Sequence, residues 1–139
     1  IMKIAEDAGV LTKFASFLKP ILSKLFPSVP SNHASLGYIA SNIAANMLGL
    51  GSAATPFGLR AMSELQKINS KKDTASNAMI TFLVLNTAGV TIIPTTIIAL
   101  RLAYGSSSPT AIIAPAVIST SCSCISAVVI DYFIRRGKK

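Results

Sequence analysis

Between His33 and Leu59 the chain runs for 27 residues, HASLGYIASNIAANMLGLGSAATPFGL, without an Asp, Glu, Lys or Arg. About 20 apolar residues cross a bilayer as a helix, so the stretch is long enough to do so. Its interior is wrong for one unbroken helix, because Asn42, Asn46, Gly49, Gly51 and Thr55-Pro56 interrupt it. Amides, glycines and prolines at membrane depth are tolerated where the backbone is buried in protein or lines a cavity. Interrupted segments of this kind mark the binding sites of transporters. The stretch therefore constrains both the class of the protein and the region that carries its function.

Composition agrees with a membrane setting. Hydrophobic residues make up 51% of the 139 residues and charged residues 13%, against about 25% charged in soluble domains. The net charge of +8 would suggest nucleic acid in a soluble protein. Here eight of the 13 basic residues fall in two clusters, Arg60, Lys67, Lys71 and Lys72, then Arg135, Arg136, Lys138 and Lys139. No aromatic residue interleaves the first cluster and no nucleic-acid-binding motif accompanies either, so both are flanks of membrane segments rather than nucleic-acid contacts. Cys122 and Cys124, two apart in an apolar run, point to different faces of a helix and suit neither one metal nor a mutual disulfide. Ile1 is not an initiator, which suggests a piece of a longer protein. The first 19 residues mix charged and apolar positions, which is not the pattern expected of a signal peptide.

Along the chain, apolar residues at three- and four-residue spacing over 1–18 predict an amphipathic helix at the membrane surface or packed on other helices. Pro20 should end it, and Ser31 or Asn32 should cap the next. Thr55-Pro56 suggests an N-cap with proline in the first turn, hence a helix from there to about Asn69. A charged turn follows, with Asp73 or Thr74 as the next cap. Ala75–Tyr104 is a second apolar region, interrupted by Asn86-Thr87, Gly89, Thr91 and Pro94-Thr95-Thr96. After an uncharged turn at 105–110, Ala111–Ile130 carries no charge and is the clearest spanning helix.

The basic tail puts the C-terminus in the cytoplasm, and the turn at 105–110 outside. Ala75–Tyr104 then rises from the cytoplasmic cluster Arg60–Lys72, while Lys13, Lys19 and Lys24 hold the other flank of the interrupted stretch on the same side. A segment with both ends on one side must dip in and return, turning near 49–52. Asn46-x-x-Gly49 with Thr55-Pro56 also resembles Asn86-x-x-Gly89 with Pro94-Thr95, a weak internal similarity of the kind found in repeat-built transporters.

Candidate ligand residues follow from this scheme. Asn42 and Asn46 share a helix face and offer amide donors and acceptors, either to a small polar ligand or as glue to a neighbouring helix. Gly49, Gly51 and Ser52 let backbone approach a ligand, and a helix starting near Pro56 would aim its N–H groups into the site. Thr55 belongs to this turn, and Asn86, Thr87 and Thr95 to its counterpart. His33 is expected as a cap or interfacial residue, and Arg101 and Asp131 as residues snorkelling at opposite faces. No nucleophile–base–acid set and no P-loop is present, so the chain is not expected to be an enzyme, and no metal or other cofactor is expected.

The residues Asn32-His33, Gly37-Tyr38, Ser41-Asn42, Ala45-Asn46, Gly49-Leu50-Gly51, Ala53-Ala54-Thr55-Pro56 and Gly58 closely resemble the bacterial spore maturation protein A family. Met79–Leu83, Asn86-Thr87, Ile93–Thr96 and Arg101-x-Ala103-Tyr104 match it too. That family is similar to the nucleoside-recognition or Gate-domain group, which includes parts of nucleoside and ferrous-iron transporters. The resemblance implies a membrane protein of endospore formers, acting with spore maturation protein B in dehydrating the spore core. The family commonly has Asn where this chain has Ser52.

The expected architecture is therefore one all-α integral membrane domain over 1–139, with a re-entrant broken-helix hairpin, two further membrane segments and an amphipathic surface helix. The expected function is a transport or gating component that lies in lipid, pairs with spore maturation protein B and takes a small polar ligand or nucleoside. The alternatives are a structural membrane scaffold, or a fragment of a nucleoside or metal-ion permease.

Overall fold

The computed structural model describes residues 10–136, and the side chains from 16 to 135 except Lys19. The N-terminal part of the expected amphipathic stripe and the last three residues of the basic tail lie outside the described residues. The described residues form helices and loops without a strand. They are α1 (Val10–Leu25), α2 (Ala34–Met47), α3 (Gly51–Lys67), α4 (Asn77–Thr87), α5 (Thr95–Ala103) and α6 (Ile113–Arg136), with a 3-10 turn at Pro109–Ile112.

At about 1.5 Å per residue, α4 and α5 are each near half the hydrocarbon thickness, and α6 exceeds it. Pro109–Arg135 is the only helical stretch among the described residues that is long and apolar enough to cross a membrane, and its most apolar 18 residues are not buried inside the protein. Ala75–Tyr104, in contrast, is cut into α4 and α5 by an irregular segment, 88–94.

Two prolines sit differently from their sequence expectations. α1 does not end at Pro20 but continues through it to Leu25. Proline removes one rung of the helix, yet Leu22 and Phe26 just beyond it are buried in the core and hold the following turn in place. Likewise α3 begins at Gly51, not at Pro56, which lies inside it. The N–H groups of Ala53 and Ala54 both bond Leu50 O, at 2.9 and 3.1 Å. Both alanines are buried against Ala44 and Ala45 of α2, so the first turn is fixed by packing before the proline is reached.

Two caps also differ. Neither Ser31 nor Asn32 caps α2; His33, expected as a cap or interfacial residue, does so, its Nδ1 accepting from Ser35 N at 3.2 Å. Ser76, rather than Asp73 or Thr74, caps α4 through Met79 N. In both cases an oxygen or nitrogen acceptor stands directly before the first helical residue, which is the geometry a cap needs.

α2 and α3 form an antiparallel hairpin. Their main core joins Leu36, Ile39 and Ala40 of α2 to Ala61 and Leu65 of α3, with Leu22 and Phe26 on one side and Ala78, Phe82 and Leu85 of α4 on the other. Near the tip only alanines meet, and small residues let helix backbones approach closely. The hairpin turn is a Schellman motif. Gly49 adopts φ 72°, Gly49 N bonds Asn46 O at 3.0 Å, and Leu50 N bonds Ala45 O at 2.8 Å. α6 joins this body through two polar links: Thr81 Oγ1 donates to Asp131 Oδ2 at 2.9 Å, and Thr91 N donates to Thr120 Oγ1 at 3.2 Å.

Candidate functional site

The two helix breaks meet. The last carbonyl of α2, Met47 O, accepts from Ile92 N and Ile93 N of the second break at 2.9 and 3.2 Å. Thr95 Oγ1, at the start of α5, donates to Gly49 O at 2.8 Å. A Cβ on Gly49 would collide with the Ile93 carbonyl and come within 2.9 Å of Thr95 Cγ2. Glycine is thus required twice at this point, for its positive φ and for the close approach of the second strand of backbone.

Beside the crossing lies a row of asparagines. Asn46 Nδ2 donates to Asn86 Oδ1 at 2.9 Å and reaches Asn42 Oδ1 at 3.5 Å. Asn42, buried, donates to Ala54 O across the hairpin at 2.8 Å. Gly58 leaves room for that amide, since a Cβ there would stand 3.0 Å from Asn42 Nδ2. Asn42 therefore serves as a link between α2 and α3. Asn46 and Asn86, the corresponding positions of the two similar motifs, join one broken helix to the other.

Two cavities flank Asn46. One, of about 250 Å³, lies between α2, α3 and α4 and includes Asn42, Asn46, Gly51, Thr55, Gly58 and Asn86 in its wall. The other, of about 430 Å³, is bounded by Asn46, Gly49, Gly51, Thr91, Thr95, Thr96 and Thr120. No charged residue lines either. The second cavity receives the N-terminal residues of both α3 and α5, whose cap positions, Leu50 and Pro94, supply no side-chain bond. The N-terminus of a helix presents N–H donors and the positive end of its dipole. This wall of threonine hydroxyls, amides and helix starts can hydrogen-bond a small polar group or carry partial negative charge.

Of the residues singled out in the sequence, Asn42, Asn46, Gly49, Gly51, Thr55, Asn86 and Thr95 come together here. Thr55 also donates to Gly51 O at 3.4 Å. Ser52 and Thr87 are exposed and border neither cavity. The helix start aimed at the site is that of Gly51 rather than Pro56. Thr91 and Thr96, which the sequence marks only as interruptions, and Thr120, which it does not mark, also line the second cavity; hydroxyl residues in the middle of uncharged segments are the signal for them.

The two ionisable residues of the membrane region lie away from these cavities. Asp131 does not snorkel: it is buried, with Arg135 Nε 3.1 Å from Oδ2, although the Nε–H does not point at that oxygen. Arg101 Nη2 donates to Ser106 Oγ and Ser108 O at 3.3 and 3.1 Å, closing the loop after α5.

A family model described as nucleoside recognition, the Gate family, matches residues 1–103 and so takes in both breaks. Spore maturation protein A of Bacillus subtilis (strain 168) is 50% identical over 140 residues, an alignment covering all of this chain and 71% of that protein. No solved structure matches the chain. With the Gate model spanning both broken helices and half of the aligned positions identical to that relative, the chain belongs to the spore maturation protein A family.

Proposed function

We propose that this sporulation membrane protein is a non-catalytic gating or transport component, in which two broken helices enclose a path for a small polar solute. The observation that carries the reading is the bond from the second break to the middle of α6. α6 is a ruler for the bilayer, and Thr120, bonded to Thr91, lies near the middle of its Pro109–Arg135 span. The hairpin tip, bonded to the same break, is then held at mid-membrane, while Thr81 and Asp131 align the start of α4 with the basic end of α6. In this reading α2 and α3 enter and leave from the cytoplasmic side, and α4 and α5 together cross beside α6. Irregular backbone at that depth fits a protein-lined path rather than a lipid-facing surface.

The cargo is a neutral or anionic polar molecule, because the cavity walls offer hydroxyls, amides and helix N-termini without a charged side chain. The Gate family's description makes a nucleoside one such molecule. Spore maturation protein B is the expected partner, and the process served is dehydration of the spore core. The test is spore core water content in strains carrying Asn46→Ala or Thr95→Ala at normal protein levels. Raised core water supports the gate, and normal spores from both variants refute it.

A further inference from the structure

A third cavity lies away from the crossing, between α1 and α6. It is an open trough of about 590 Å³ with Ile21, Leu25, Ile125 and Val129 on its walls. The two helices flank the space without closing it, and Ile21, Ile125 and Val129 remain exposed. A gap of this kind beside a membrane helix is filled by hydrocarbon, since water there would wet apolar walls on every side.

One wall residue is charged. Lys24 is exposed at the rim, and among the described residues it has no carboxylate partner, the ion pairs being Lys67 with Glu64 and Arg135 with Asp131. Its ammonium sits on a long apolar stem that can lie along the trough while the charge reaches the headgroup layer. Val129 precedes Asp131 and Arg135 by less than two turns, so the trough lies close to the basic end of α6. Apolar walls along a membrane helix, with one cation that has no carboxylate partner among the described residues, are complementary to an anionic lipid. We infer that the trough is a binding site for one anionic phospholipid, an acyl chain lying between α1 and α6 and the phosphate on Lys24.

The test is native mass spectrometry of the full chain released from nanodiscs of equal parts phosphatidylglycerol and phosphatidylethanolamine. One cation near the surface favours the anionic lipid by about fivefold, so retention of phosphatidylglycerol should exceed that of phosphatidylethanolamine by about that factor. Lys24→Gln should bring the two lipids to parity, Lys24→Arg should keep the preference, and Ile125→Trp should expel both by filling the trough. Equal retention by the unaltered chain, or an undiminished preference in Lys24→Gln, would overturn the inference. So would rapid disulfide formation between Cys124 residues of two copies in the bilayer, which would make the trough a contact between chains.

Discussion

At the scale of single residues, Gly49 has the least freedom. Alanine there must take φ 72° and push a methyl group into the Ile93 carbonyl. Backbone strain and overpacking each contribute about 1–3 kcal/mol. Gly49→Ala should therefore lower the melting temperature in detergent clearly, whereas Gly37→Ala, where a Cβ meets nothing, should leave it nearly unchanged. Asn42 and Asn46 are expected to separate as well. Asn42→Ala removes a buried bond to Ala54 O and should cost about 1 kcal/mol of stability. Asn46→Ala should change spore core water content more than the melting temperature, since its bond to Asn86 lies at the exposed edge of the cavities. The sequence carries the likeness of the two Asn-x-x-Gly motifs, but not the contact between them. That contact joins residues forty apart, and only the packing of α4 against the hairpin brings them within reach.

At the scale of elements, sequence reading found the broken helices and misplaced their ends. Pro20 and Pro56 are strong local stop and start signals, yet burial of Leu22, Phe26, Ala53 and Ala54 outweighs one lost backbone bond. Asp131 departs from its sequence expectation for a related reason, because its burial depends on Thr81, on another helix. The tie between α4 and α6 can be tested through this acid. Asp131→Leu strands the largely buried Arg135 without its partner, and breaking such a pair costs about 3–5 kcal/mol. The paired change Asp131→Leu with Arg135→Met should recover most of that loss, because an apolar pair removes both buried charges together. Melting curves in detergent for the single and double variants would check this, and a double variant no better than Asp131→Leu would mean that the carboxylate acts mainly through Thr81.

At the scale of the molecule, the arrangement stands or falls on where the hairpin enters. The 27-residue stretch is long enough to span, so a simple crossing would put His33 and Arg60 on opposite sides. The hairpin instead brings Tyr38 under the Arg60 guanidinium, with 6.0 Å from its carbon to the ring centroid, so in the proposed arrangement both flanks lie on one side of the membrane. The proposed side follows from α6, because the Thr81–Asp131 bond brings the start of α4 to the basic end of that helix. Single cysteines at exposed loop positions, in a chain whose native cysteines are replaced by serine, read the sides directly. Ser70→Cys should react with an impermeant maleimide from the cytoplasmic side, and Ser107→Cys from the opposite side. Gly51→Cys, on the walls of both cavities near the hairpin tip, should react more slowly than either. Labelling of Ser70→Cys and Ser107→Cys from the same side would mean that α4 and α5 do not together cross the membrane, and the mid-membrane crossing of the two breaks would be lost with them.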